Sequence, residues 1–237
     1  MPAYFVSDVH LRLDQPERSR RFARWVEGLG HEDQVVIGGD LCDFWFASRQ
    51  RGQDPMGCEG LKALALFTKR GGSVTIMPGN HDIWLGPFYE QTLGAQFVQE
   101  PLEVEAYGLR IHLVHGHLLG ARSVWKSGME SRFFLSAFRG IPGPLAHWLE
   151  TRLDQSNDRH REAADKRHLC VYRQYADSLR DRVDIAVFGH IHRAHDDQGG
   201  RPRMVVLGGW RDGSSYLRID DKGAALIIEH LPACAPA

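Results

Sequence analysis

The sequence has few cysteines, no long apolar run and almost no net charge, and each of these features excludes a class of protein. Its four cysteines lie far apart without Cys-x-x-Cys spacing, so neither a zinc knuckle nor a disulfide scaffold is expected. No apolar run approaches the roughly 20 residues that cross a bilayer, and no apolar signal core follows Met1. The net charge of −1 gives no reason to expect a nucleic-acid partner. A cytoplasmic protein is predicted, attached at most to a membrane surface.

Strands and helices are predicted to alternate in the first part of the chain. Short apolar segments at 3–6, 35–37 and 74–77 indicate buried strands, and apolar residues recur at helical spacing over 16–29 and 61–69. This β-α-β-α-β order predicts an α/β fold with parallel strands and helices on the sheet faces.

The later part of the chain changes this pattern. A hairpin is predicted around Tyr107 and Gly108, followed after an insertion by a helix over 167–180 and a strand over 184–188. Closing strands are expected at 204–207, 216–219 and 225–228. We predict one domain over residues 1–237, with a helical cap inserted at 118–165.

Polar side chains follow five of the predicted strands, and together they suit two metal ions. Two Asp, one Asn and four His form a mixed oxygen and nitrogen ligand set, which favours Mn²⁺, with Fe²⁺ or Zn²⁺ as alternatives. Asp40 is the expected bridge between two ions that hold a bridging hydroxide for attack on a phosphoryl group. The five clusters are Asp8-Val9-His10, Gly39-Asp40-Leu41-Cys42-Asp43, Gly79-Asn80-His81-Asp82, His115-Gly116-His117 and Gly189-His190-Ile191-His192.

As a set, these clusters resemble the signature of the calcineurin-like metallophosphoesterases. The resemblance implies a four-layer α/β/β/α sandwich. It also implies that His81 is the general acid or phosphate-contacting residue and that Asp82 orients it. Asp43 would either support the metal centre from outside the ligand set or be structural. The implied ligands are Asp8, His10, Asp40 and His192 for one ion, and Asp40, Asn80, His115 and His190 for the other.

Within this superfamily, the chain is similar to the UDP-2,3-diacylglucosamine pyrophosphohydrolases of lipid A biosynthesis. The similarity lies in chain length, in Ser7-Asp8-Val9-His10-Leu11, in the helical insertion and in Val206-Leu207-Gly208-Gly209-Trp210. It implies hydrolysis to UMP and 2,3-diacylglucosamine 1-phosphate by a peripheral protein on the cytoplasmic face of the inner membrane. The expected substrate contacts are Asn80, His81, Arg122, Lys126, Arg161 and Lys166.

Two positions depart from the pattern of these pyrophosphohydrolases and leave alternatives open. His81 stands where they typically have Arg, and His117 where they have Asp. A paralogue that cleaves another phosphodiester or nucleotide anhydride therefore remains an alternative, as does a scaffold without metals. The insertion is a cap for acyl chains, a docking surface on anionic lipid, or an ordinary packed hairpin. Outside the five clusters, His112 and His168 are predicted to be ordinary structural or solvated histidines.

Overall fold

The computed structural model describes residues 1–43, 54–83, 85–120 and 161–231. The helices in these ranges are α1 (Pro16–Glu27), α2 (Glu59–Lys69), α3 (Gly86–Leu93) and α4 (Arg161–Ser178), with a 3-10 turn at Pro55–Gly57. The strands are β1 (Ala3–Val6), β2 (Gln34–Gly38), β3 (Ser73–Met77), β4 (Gln96–Phe97), β5 (Leu102–Ala106), β6 (Leu109–Val114), β7 (Ile185–Phe188), β8 (His195–Asp197), β9 (Arg203–Val206), β10 (Gly213–Asp220) and β11 (Gly223–His230).

The first sheet has the strand order β11-β10-β1-β2-β3-β4. Strands β1 to β4 are parallel, as the alternation of strands and helices predicts, whereas β10 pairs antiparallel with both β1 and β11. Because parallel strands end at the same edge of a sheet, the polar turns after β1, β2 and β3 lie side by side.

The second sheet has the strand order β5-β6-β7-β9-β8. Strands β6, β7 and β9 are parallel, and β5 and β8 pair antiparallel at the two edges. The predicted hairpin joins β5 to β6 through Tyr107 and Gly108, both with positive φ angles, of 51° and 75°, which is the backbone that a tight two-residue turn requires. The turns after β6 and β7 carry His115 and His190 to one edge.

Three apolar clusters place these elements in layers. Phe5, Leu113 and Val187 belong to the cluster between the two sheets. On the outer face of the first sheet, α1 and α2 pack through residues such as Phe22. On the outer face of the second, Tyr172 of α4 stacks on Phe188 with ring centroids 4.4 Å apart. This order of layers confirms the predicted α/β/β/α sandwich.

Some predicted boundaries were wrong. Helix α4 already includes residues 161–166, because these residues continue a helix that is anchored further along by the buried Tyr172 and Ala176. Strands β10 and β11 have eight residues each, longer than their apolar centres predicted. The predicted cap lies almost entirely outside the described residues. No helix within the described ranges has the length and apolar character that a membrane span requires.

Candidate metal centre

The backbone of the polar turns is unusual at four residues that the sequence predicts to be ligands. Asp8, His10, Asp40 and His190 have φ angles of 53°, 49°, 53° and 66°. Non-glycine residues rarely adopt this left-handed conformation, and such strain is concentrated at functional sites. With this backbone conformation, the side chains after each strand no longer alternate between the two faces of the sheet. Ligands from consecutive turns can therefore face one centre.

Glycines allow these turns to approach each other closely. Gly39 has a φ of 97°, and a β-carbon there would overlap Nδ1 of His115. A β-carbon at Gly79 would overlap Oδ1 and the backbone nitrogen of Asp40. Both glycines are therefore required by contacts within the site, and larger residues would push its side chains apart.

Asp8, His10 and His192 form the first close group, with ligand atoms all within 4.8 Å of one another. Oδ1 of Asp8 lies 3.5 Å from Nε2 of His192 and 3.9 Å from Nε2 of His10, and the two histidine nitrogens are 3.1 Å apart. Oδ2 of Asp8 accepts hydrogen bonds from the Ser7 hydroxyl and from the His190 backbone N–H. Oδ1 is buried and accepts no hydrogen bond from the described residues.

Asp40 and His115 join Asp8 in a second close group. Nε2 of His115 lies 3.4 Å from Oδ2 of Asp40 and 3.2 Å from Oδ1 of Asn80. Its Nδ1 donates to the Gly38 carbonyl at 2.8 Å, which fixes the ring with Nε2 toward the centre. Oδ2 of Asp40 is also 3.9 Å from Nε2 of His10. Oδ2 of Asp40 therefore lies within 4 Å of a histidine nitrogen from each group, and its role as a bridging ligand stays a prediction.

The other predicted site residues either lie outside the two close groups or have side chains that the structure does not describe. The His190 ring centroid lies 5.4 Å from that of His115, so its ligation stays a prediction. Lys166 is exposed on α4. Arg122, Lys126 and the side chain of Arg161 lie outside the part of the chain that the structure describes.

The predicted partner of His81 has to be corrected. Asp82 is fully buried and accepts four hydrogen bonds elsewhere, from the backbone N–H groups of Gly79, Leu41 and Cys42 and from the Tyr89 hydroxyl. It therefore joins the turns after β2 and β3 and does not orient His81. That role belongs to Asp43, whose Oδ1 accepts from His81 Nδ1 at 2.9 Å. Sequence reasoning missed this pair, although the Gly39-Asp40-x-x-Asp43 spacing was visible.

The charges of the centre are arranged for a cation. Burial alone would lower the pKa of His115, but Asp40 beside it raises that pKa to about 10. His81 behaves similarly, since Asp40 and Asp43 outweigh burial and raise its pKa to about 9. In contrast, burial and the neighbouring His81 lower the pKa of His10 to about 4. Protons on His115 and His81 therefore balance the buried carboxylates where a metal cation would otherwise do so.

The donor atoms of these residues fit divalent metal ions. The uncompensated Oδ1 of Asp8 needs a positive partner, because an unpaired charged oxygen is costly in a protein interior. His10 offers a neutral nitrogen, and the His115 ring is already oriented. The mixed nitrogen and oxygen donor set suits Mn²⁺, Fe²⁺ or Zn²⁺. The described residues thus fit the metals that the sequence predicts, without identifying which one.

Comparison with known proteins gives an independent result. A family model described as calcineurin-like phosphoesterase matches residues 1–194, which include all five polar turns. Among solved structures, an archaeal phosphodiesterase aligns with 96% of this chain and 99% of its own at 14% identity and a TM-score of 0.49.

Curated relatives match the chain from end to end. A UDP-2,3-diacylglucosamine hydrolase of Stenotrophomonas maltophilia is 28% identical, covering 95% of this chain and 98% of its own. Proteins of the same name from Aeromonas salmonicida and Hahella chejuensis are 27% and 25% identical, covering 100% and 96% of this chain and 97% of their own. The similarity therefore extends well beyond the metal-binding turns.

Proposed function

Because this chain belongs to the calcineurin-like phosphoesterase family, we propose that it uses two divalent ions, preferentially Mn²⁺, to hydrolyse the pyrophosphate bond of UDP-2,3-diacylglucosamine. The observation that carries the metal chemistry is the convergence of Asp8, His10, Asp40, His115 and His192 on one centre. The substrate rests on the full-length similarity to curated hydrolases with that name. The products would be UMP and 2,3-diacylglucosamine 1-phosphate.

Each residue of the centre has a proposed role. Asp8, His10 and His192 would hold one ion, Asn80, His115 and His190 the other, and Asp40 would bind both. When bound, two such ions supply Lewis acidity and activate a water for attack on the phosphoryl group. The chain itself contributes the orientation of these ligands, through the hydrogen bond from His115 to the Gly38 carbonyl and the backbone contact of His190 with Asp8.

His81 is the proposed contact with the scissile phosphate. Its Nδ1 donates to Asp43, and its Nε2 lies 4.0 Å from Oδ2 of Asp40. Nε2 therefore faces the centre, where it can bind a phosphoryl oxygen or donate a proton to the leaving oxygen. Its side chain is 26% exposed, which leaves room for a substrate to reach it.

The acylated substrate implies a place at a membrane surface. We propose that the protein works as a peripheral protein on the cytoplasmic face of the inner membrane, because its substrate carries acyl chains. Arg122, Lys126, Arg161 and Lys166 remain the proposed phosphate or sugar contacts on the inserted segment and the start of α4.

An assay with two substrates tests the proposal. The Mn²⁺-supplemented protein is given UDP-2,3-diacylglucosamine in detergent and, separately, bis(p-nitrophenyl) phosphate. We expect UMP release from the lipid, and we expect Asp40→Ala to abolish it because the shared ligand is lost. The matched control is Asp221→Ala, an exposed aspartate in the β10–β11 turn, which should retain full activity. Metal analysis of both variants shows whether the loss follows metal content.

A second candidate substrate class is favoured by His81. A histidine held by a carboxylate offers proton transfer, whereas an arginine in its place offers a permanent charge. A paralogous phosphoesterase acting on another phosphodiester or nucleotide anhydride would use that difference. Turnover of bis(p-nitrophenyl) phosphate without UMP release from the lipid would favour this alternative. Failure of both substrates with metal bound would reject both.

A further inference from the structure

Arg12 lies on a turn that is tied to the turn carrying Asp43. Beyond β1, the chain passes beside the turn after β2 and forms a parallel bridge between Leu11 and Cys42. Leu11 N donates to the Leu41 carbonyl at 2.8 Å, and Asp43 N donates to the Leu11 carbonyl at 3.3 Å. The relative position of Arg12 and Asp43 is therefore set by the backbone as well as by their side chains.

The guanidinium of Arg12 is shared between two carboxylates. Its Nε and Nη2 donate to the two oxygens of Asp14 at 2.8 and 2.9 Å. Its Nη1 donates to Oδ2 of Asp43 at 3.4 Å. The Arg12 side chain is only 11% exposed although both its partners lie nearer the surface. Because a guanidinium is planar, the paired contact with Asp14 fixes the direction in which Nη1 points.

The two oxygens of Asp43 have different partners. Oδ2 accepts from Arg12, and Oδ1 accepts from His81 Nδ1 at 2.9 Å. The carboxylate plane, and with it the His81 ring, is therefore constrained from both sides. The chain of contacts runs from Asp14 through Arg12 and Asp43 to His81, and it ends at the ring whose Nε2 faces Asp40.

We propose that Arg12 is a positioning residue for His81. It holds the Asp43 carboxylate in the orientation that keeps Nε2 of His81 directed at the scissile phosphate, and it does so without touching the substrate. This inference rests on the proposed function only in assuming that the centre hydrolyses phosphoesters. It does not depend on which ester is the natural substrate.

A double-mutant cycle tests the proposal. Arg12→Ala and His81→Gln are made singly and together, and kcat and KM are measured on bis(p-nitrophenyl) phosphate with Mn²⁺. We expect Arg12→Ala to lower kcat about tenfold with little change in KM. A positioned proton donor typically contributes a rate enhancement of 10²–10⁴-fold, and the loss of Arg12 should remove part of it. In the His81→Gln background, the same change should have almost no further effect, since the residue that Arg12 positions is gone.

Further variants separate positioning from folding. Asp14→Asn removes one acceptor of the paired contact at a half-exposed residue and should lower kcat two- to threefold. Arg12→Lys keeps the charge without the planar fork and should restore only part of the loss. Arg20→Ala, on the exposed face of α1, is the matched control and should leave kcat unchanged.

Two outcomes would overturn the proposal. If the effects of Arg12→Ala and His81→Gln multiply, Arg12 acts independently of His81. If Arg12→Ala raises KM while kcat is unchanged, Arg12 binds the substrate directly. Because the cycle is measured on bis(p-nitrophenyl) phosphate, it tests the role of Arg12 even if the protein does not hydrolyse the lipid. A wild-type protein that is inactive on this diester would instead count against the proposed function.

Discussion

Replacement of Asp82 by Asn should destabilise the protein, because Asp82 joins two turns of the metal centre. Oδ2 accepts from Leu41 N, Cys42 N and the Tyr89 hydroxyl, and Oδ1 accepts from Gly79 N at 2.9 Å. In Asp82→Asn, the amide oxygen can retain the first three bonds, but its NH₂ group would then face the N–H of Gly79. The Gly79 N–H loses its acceptor and faces a buried NH₂ group that is itself a donor, and three charge-assisted bonds become neutral ones.

The magnitude follows from these contacts. The loss of the Gly79 bond, which leaves buried donors without an acceptor, costs about 2 kcal/mol, and the weakening of three bonds costs about 2 kcal/mol more. Burial is the largest cause of the raised pKa of Asp82, so removal of its charge relieves part of that cost. A net loss of about 2–3 kcal/mol remains. For a chain of this length, roughly 2–4 °C of Tm is lost per kcal/mol, so Tm should fall by about 4–12 °C.

Thermal and urea unfolding of the metal-free protein measure this effect, with Asp221→Asn as the matched exposed control. Tyr89→Phe removes only one of the four donors and should lower Tm by a smaller amount in the same direction. An Asp82→Asn variant with the Tm of the wild type but with strongly reduced kcat would refute the reasoning. It would return Asp82 to the role of orienting His81 that the sequence suggested.

The other predictions concern the metals and the close approach of the turns. Saturating Mn²⁺ at about 100 times its Kd should add about 2.7 kcal/mol of stability, and EDTA should remove it together with activity; a Tm indifferent to both would contradict a metal centre. Because the pKa of His115 is about 10 without metal, its ring is protonated at pH 7, so Mn²⁺ binding should release protons and tighten as pH rises. Calorimetry in buffers of different ionisation enthalpy checks the proton release, and a heat of Mn²⁺ binding that is the same in every buffer would contradict it. Gly79→Ala should lower metal content and activity at least tenfold, since its methyl group would overlap Asp40, whereas Gly199→Ala in an open turn should not.

The positions of the metal-centre turns were predictable because each signal is local. Polar side chains follow the short apolar strands β1, β2, β3 and β7, with a glycine before them in all but the first. The carboxyl ends of parallel strands meet at one edge of a sheet. The division into two sheets was not predictable from composition or periodicity alone. It depends on long-range pairing, such as that of Phe5 with Leu217, and entered the sequence analysis only through the family resemblance.

The partner of His81 shows a different limit of sequence reasoning. The family resemblance implied Asp82, which is adjacent to His81 in the chain, yet neighbouring side chains on a tight turn point in different directions. Asp43 is 38 residues away and reaches His81 because β2 and β3 are adjacent and parallel. Which of two nearby carboxylates contacts a given ring is decided by distances of a few ångströms between turns, and periodicity carries no such information.

The cost of the centre argues against an inert scaffold. Left-handed backbone at Asp8, His10, Asp40 and His190 costs of order 1–3 kcal/mol per residue, and the buried Oδ1 of Asp8 adds an unmet hydrogen-bond acceptor. Against a total stability of about 5–15 kcal/mol, these are large terms. Replacing these residues by glycine or asparagine would reduce these costs without altering the apolar core. A chain that keeps every strained ligand is expected to recover the cost by binding metal, so metal-free protein should be measurably less stable than its metal-bound form.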